Sequence, residues 1–93
     1  MQVAITCDVG IDVGAQSLVV VLALAGRPRT RAVSVTNDAD GWQAIAAMVC
    51  AQGATPATTR LIMEATGAYW QGAATALHQA GWKLYVASPT SVR

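Results

Sequence analysis

Two apolar stretches of strand length, residues 9–13 and 18–24, are separated only by Gly14-Ala15-Gln16-Ser17. A turn of that composition folds the chain back on itself, so the sequence opens with a β-hairpin. The second stretch lacks polar alternation, the pattern of a strand covered on both faces. Gly26-Arg27-Pro28 then turns the chain toward a third strand over residues 30–35, so three antiparallel strands come first.

From there the periodicity changes. Asn37 or Asp38 can cap a helix whose apolar positions Trp42, Ile45, Ala46 and Val49 recur at i, i+3, i+4 and i+7, ending near Gly53. After a Thr/Pro-containing loop, residues 61–65 read as a buried strand. A second helix follows with Trp70, Ala73, Ala74 and Leu77 on one stripe and Gly81 as its stop, and a last strand covers residues 83–87. The order β-β-β-α-β-α-β predicts an α/β fold with a mixed five-stranded sheet. The meander sets strand 2 antiparallel, and right-handed crossovers lay strands 4 and 5 parallel to strand 1, in the order 3-2-1-4-5. The helices follow strands 3 and 4.

Composition bounds the rest. The 93 residues are 54% apolar and only 12% charged, which suits one domain with one core rather than a disordered chain. Alanine is abundant and phenylalanine absent, leaving Trp42, Trp70 and Trp82 as the bulky core pieces. The apolar run from Leu18 to Ala25 falls far short of the roughly 20 residues of a membrane span. The start has neither a basic segment nor a long apolar one, so no membrane association is expected and a cytoplasmic, reducing setting is. Cys7 and Cys50, without CxxC spacing, are expected to be two buried free thiols. A net charge of +1 does not by itself announce a nucleic-acid partner.

Two carboxylates stand out. On strand 1, Gly10, Asp12 and Gly14 share one face, so Asp12 lies between two residues without side chains and a ligand can approach it. Glu64 sits near the carboxyl end of strand 4. If strands 1 and 4 are neighbours, about 4.8 Å apart, both carboxylates can converge on one Mg²⁺ or Mn²⁺ ion. Such ions serve phosphodiester cleavage by activating a nucleophile and stabilising the leaving oxygen. Spacing alone leaves a second reading open, in which Asp12 braces a turn and Glu64 caps the following helix.

Gly10-Ile11-Asp12-Val13, followed by Met63-Glu64-Ala65-Thr66-Gly67-Ala68-Tyr69-Trp70 and an Ala-Leu-His-Gln-Ala-Gly stretch before the last strand, resembles the DEDD-type insertion-sequence transposases. The similarity runs from about Val9 to the end. It takes in the Gly26-Arg27-Pro28-Arg29 turn, the Asn37-Asp38 to Gly41-Trp42 helix start and the Ser88-Pro89 exit; the MEATGxYW string is its specific element. The resemblance implies an RNase H-like (RuvC-like) amino-terminal domain with Asp12 and Glu64 as the first two acidic metal ligands. It also implies metal-dependent DNA strand cleavage and transfer in the full-length protein, aided by a structured bridge RNA. The family's later Asp-x-x-Asp pair and its separate carboxyl-terminal domain are not in this sequence. The expectation is therefore a single truncated domain over residues 1–93, itself inactive, that partners the rest of a transposase or another copy. Ala15 stands where the family commonly has lysine, and Ser88 where it commonly has asparagine.

Other residues carry weaker signals. Arg27, Arg29 and Arg31 recur every second residue and on an extended strand would form a basic stripe, suited to a phosphate backbone or to discouraging edge pairing. Tyr69 and Trp70 begin the second helix, where they can stack on a base or pack over the sheet. His78 and Ser17 read as a solvent-facing helix residue and a turn residue. Two other functions stay open. The segment from Gly10 to Ser17 also resembles the first phosphate loop of actin-like sugar kinases, and the chain can equally be a non-catalytic transposase remnant.

Overall fold

In the computed structural model, residues 4–64 and 67–87 are described. They form β1 (Cys7–Val13), β2 (Ser17–Leu24), β3 (Val33–Thr36), α1 (Ala39–Ala51), a single 3₁₀ turn (Pro56–Thr58), β4 (Thr59–Glu64), α2 (Gln71–Gln79) and β5 (Lys83–Ala87). One five-stranded sheet runs β3-β2-β1-β4-β5, as the sequence predicts. β2 is antiparallel to β1 and β3, while β4 and β5 are parallel to β1. No helix among the described residues is long and apolar enough to cross a membrane.

Alternation builds the core. Val9, Ile11 and Val13 of β1, Leu18, Val20 and Leu22 of β2, and Leu61 and Met63 of β4 all point to one face and are buried. Ile45 and Val49 of α1, with Ala73 and Leu77 of α2, close over that face. Trp82 is buried, whereas Trp42 and Trp70 pack against the core with one side exposed. Gly53 and Gly81 follow the two helices with φ of +83° and +96°, left-handed values that suit glycine at a helix stop.

Four expectations change. β2 is covered on one face only: Leu18, Val20 and Leu22 are buried while Val19 is exposed and Val21 half-buried, since both helices lie on the same side. Valine at the outward positions hid the alternation. β3 begins at Val33, so Arg27, Arg29 and Arg31 precede it. Over this stretch Thr30 bonds to Leu22 twice, its N–H donating to the Leu22 carbonyl and its hydroxyl accepting from the Leu22 N–H. A side chain here replaces one rung of the ladder. Cys50 lies on the outer face of α1 and is exposed; only Cys7 is buried. Tyr69 and Trp70 lie in the turn before α2, which starts at Gln71. Ala65, assigned to the fourth strand, and the Ser88-Pro89 exit lie outside the described residues.

The start of α1 is tightly specified. Asp38 is the N-cap, its Oδ1 accepting from the Gly41 N–H at 3.0 Å and from the Thr36 hydroxyl at 2.7 Å. At Gly41 the helix lies against β3 so closely that a Cβ would fall 1.6 Å from the Thr36 carbonyl oxygen. No other residue fits there without moving backbone.

Candidate functional site

The parallel register of β1 and β4 runs from Cys7 opposite Thr59 to Ile11 opposite Met63. Asp12 and Glu64 are the next residues along the two strands. Ile11 and Met63 face the helices, so the carboxylates face the other way, onto the uncovered side of the sheet. Both line one open concavity of about 410 Å³ together with Gly10, Val19, Val21 and Ile62. A Cβ built on Gly10 would meet nothing within 4 Å, so the approach to Asp12 along β1 is clear.

The oxygen donors suit a hard divalent cation that keeps part of its water shell. Two carboxylates make a partial set, and no group of three or more His, Cys, Asp or Glu side chains comes together among the described residues. The donor chemistry and the open approach fit such an ion.

Further down the same face lies an ion pair that the sequence reading missed. Asp8 opposes Arg60 in the β1–β4 register, and the guanidinium grips the carboxylate with Nε at 2.7 Å from Oδ1 and Nη2 at 3.1 Å from Oδ2. Hydrogen bonding from Arg60 holds the Asp8 carboxyl below its ordinary pKa, and the pair raises that of Arg60. Four residues along a strand is roughly 13 Å, beyond a Debye length in physiological salt. Arg60 is therefore engaged with Asp8, at the other end of the strands from Asp12 and Glu64. The signal is legible, since Asp8 keeps the two-residue phase of Gly10 and Asp12; β1 begins at Cys7, two residues before the stretch that apolar patterning marks as strand.

The arginines separate. Arg27 donates to the Gln52 carbonyl at the end of α1, while Arg29 lines a groove on the uncovered face with Asp8, Gly10 and Ile62. Arg31 is exposed. Three positions on one extended strand would share a face; in the β2–β3 connection they do not form that single stripe. Tyr69 is 57% exposed, and its backbone carbonyl accepts a hydrogen bond from the Asn37 side chain. His78 is exposed on the last turn of α2. Ser17 opens β2 and its carbonyl accepts from the Gly14 N–H, closing the hairpin turn.

On the buried side of the same strands, Cys7 opposes Thr59. Burial pushes the Cys7 thiol above its ordinary pKa, partly offset by its contact with Thr59. The Thr59 hydroxyl has no conventional hydrogen-bond partner; a thiol is a weak substitute for one. This pair belongs to the core, away from the carboxylates.

RuvC of Thermus thermophilus is similar in structure, with a TM-score of 0.53 over 89% of this chain and 64% of that one, at 18% sequence identity. At that identity the likeness establishes the fold, an RNase H-like α/β sheet, and this chain spans less than two thirds of that protein's length. No curated protein matches the chain. The sequence model of the IS110-type DEDD family, described as a transposase, matches residues 9–93. The match includes the GIDV and MEATG strings and decides against the sugar-kinase alternative. A match over nearly the whole sequence carries one conclusion: this chain belongs to the DEDD transposase family.

Proposed function

We propose that this chain is the amino-terminal part of a transposase catalytic domain, in which Asp12 and Glu64 hold a divalent cation, Mg²⁺ or Mn²⁺, for DNA strand cleavage and transfer. The observation that carries the reading is the convergence of both carboxylates on one open concavity from the ends of neighbouring parallel strands. Such a cation supplies activation of the attacking oxygen and charge neutralisation at the leaving oxygen of a phosphodiester. This chain's own part is to hold two oxygen ligands at a fixed separation on a rigid sheet and to keep Gly10 bare so that a backbone phosphate can come close.

DNA is the substrate in this reading, with a structured bridge RNA as a further partner and the cytoplasm as the setting. In this reading Arg29, Arg31 and Tyr69 support nucleic-acid contact, a role favoured by their exposure and, for Arg29, by its position on the carboxylates' face. Arg27, engaged with Gln52, contributes less. Two ligands do not complete a two-ion nuclease site, so the 93-residue chain alone binds Mn²⁺ weakly and leaves DNA uncut. The remaining ligands come from the rest of a transposase or from another copy.

The test is direct. In a complete transposase containing this domain, Asp12→Asn and Glu64→Gln abolish strand cleavage while circular dichroism stays that of the wild type. Cleavage retained by either folded variant rejects the reading. Robust nuclease activity from the chain alone, lost in Asp12→Ala, rejects its inactivity.

A further inference from the structure

The ladder between β1 and β4 ends at Ile11 and Met63, one residue short of the two carboxylates. Asp12 is paired with Val19 of β2 and Glu64 with Ala87 of β5, each on its outer side, while the β1–β4 register does not extend to the pair itself. Asn37, in the β3–α1 junction, bridges the segments that follow the two strands. Its Nδ2 donates to the Gly14 carbonyl at 2.9 Å and to the Tyr69 carbonyl at 2.9 Å. Gly14 is two residues past Asp12, and Tyr69 is five residues past Glu64. Its own N–H donates to the Gln16 carbonyl at 2.9 Å, which pins the junction to the β1–β2 turn.

The orientation of the amide is not arbitrary. The Trp42 indole N–H donates to Asn37 Oδ1 at 3.0 Å. An indole N–H only donates, so the amide oxygen must face it, and both amide hydrogens are left for the two carbonyls. Asp38 takes the cap of α1, which frees Asn37 from that task. The close approach at Gly41 seats α1 against Thr36 and so sets where Trp42 stands.

The geometry points to Asn37 as the positioning residue of the Asp12–Glu64 pair, clamping the turn after β1 to the turn before α2, with Trp42 locking its amide. Asn37 is not itself a ligand in this reading; it acts by tying together Gly14 and Tyr69, which follow the two carboxylates in the chain. The inference rests on the reading of Asp12 and Glu64 as a cation-holding pair. Groups that orient metal ligands typically account for ten- to hundredfold in affinity.

The experiment titrates Mn²⁺ by water-proton relaxation into the chain and its variants, with hydrogen exchange and thermal melting on the same samples. Wild type binds, and Asp12→Asn abolishes binding. Asn37→Ala weakens it by about tenfold or more and speeds exchange in both turns, around Gly14 and around Tyr69. Asn37→Asp keeps the acceptor for Trp42 but turns an oxygen toward two carbonyls, and it weakens binding at least as much. Trp42→Phe, which removes the amide's lock together with part of the ring's packing against the core, gives a smaller loss in the same direction, read against Val49→Ala as the packing control, and serves if the Asn37 variants do not fold. Val49→Ala, a core substitution that lowers the melting temperature, leaves the affinity at the wild-type value. Asp12-dependent binding that is unchanged in a folded Asn37 or Trp42 variant, or equally weakened by Val49→Ala, overturns the inference and leaves the carboxylate reading standing. Absence of Asp12-dependent binding in the wild type overturns that reading itself.

Discussion

At the scale of single residues, two glycines show how position decides meaning. A Cβ at Gly41 would strike the Thr36 backbone at 1.6 Å, whereas one at Gly10 meets nothing within 4 Å. Gly41→Ala must therefore displace the start of α1, and with it the cap and Trp42; overpacking of this kind costs about 1–3 kcal/mol, and a backbone clash belongs at the upper end. Gly10→Ala fits its strand and, by reducing backbone freedom in the unfolded chain, stabilises slightly, by about 0.5 kcal/mol. Urea denaturation of both variants checks the contrast, and equal losses would contradict it. The sequence pointed to Gly10 because strand alternation is a local rule. Gly41 carried no such signal, because its constraint comes from Thr36, a residue on another element packed against it. Asn37 escaped for a related reason: Asn and Asp are equally good caps, and only the packing of three elements shows which one caps and which one bridges.

At the scale of elements, the start of α1 links stability to pH. The Asp38 carboxyl is held below its ordinary pKa, first by the Thr36 hydroxyl and then by the Gly41 N–H. A folded pKa below the unfolded one means that the stabilisation is fully present above the unfolded value, about 3.9, and is lost as pH falls through the folded value. The Asp8 carboxyl, lowered by Arg60, acts in the same sense. Asp38→Ala therefore lowers the melting temperature at neutral pH and makes its decline below about pH 4 shallower than in the wild type. Parallel melting curves for the two proteins from neutral to strongly acidic pH would show no convergence if the cap were unimportant. Element boundaries were legible to different degrees. β5 came out as predicted because Gly81 and Pro89 punctuate it in the sequence. β3 is shorter at its start than its pattern suggests, since alternating Arg27, Arg29 and Arg31 imitate strand phase, while in the folded chain the Thr30 hydroxyl substitutes for a main-chain rung.

At the scale of the whole molecule, both helices cover one side of the sheet, and the carboxylates emerge on the other. The order 3-2-1-4-5 was legible because short connections and two helical crossovers leave few topologies. The one-sided covering was not, because Val19, Val21 and Ile62 read as core in any hydropathy pattern. Their exposure gives β4 a sharp internal contrast. Met63 is fully buried against the helices, whereas its neighbour Ile62 is 38% exposed beside Gly10. Met63→Ala leaves a cavity that the packed layer cannot close and costs about 2–5 kcal/mol. Ile62→Ala removes a side chain that already meets water, and costs about 1 kcal/mol or less. Chemical denaturation at several protein concentrations measures both numbers under conditions where association would be seen. A large, concentration-dependent loss at Ile62 would mean that a second copy covers the carboxylates' face in solution. A small and concentration-independent loss means that the face which bears Asp12 and Glu64 stands open.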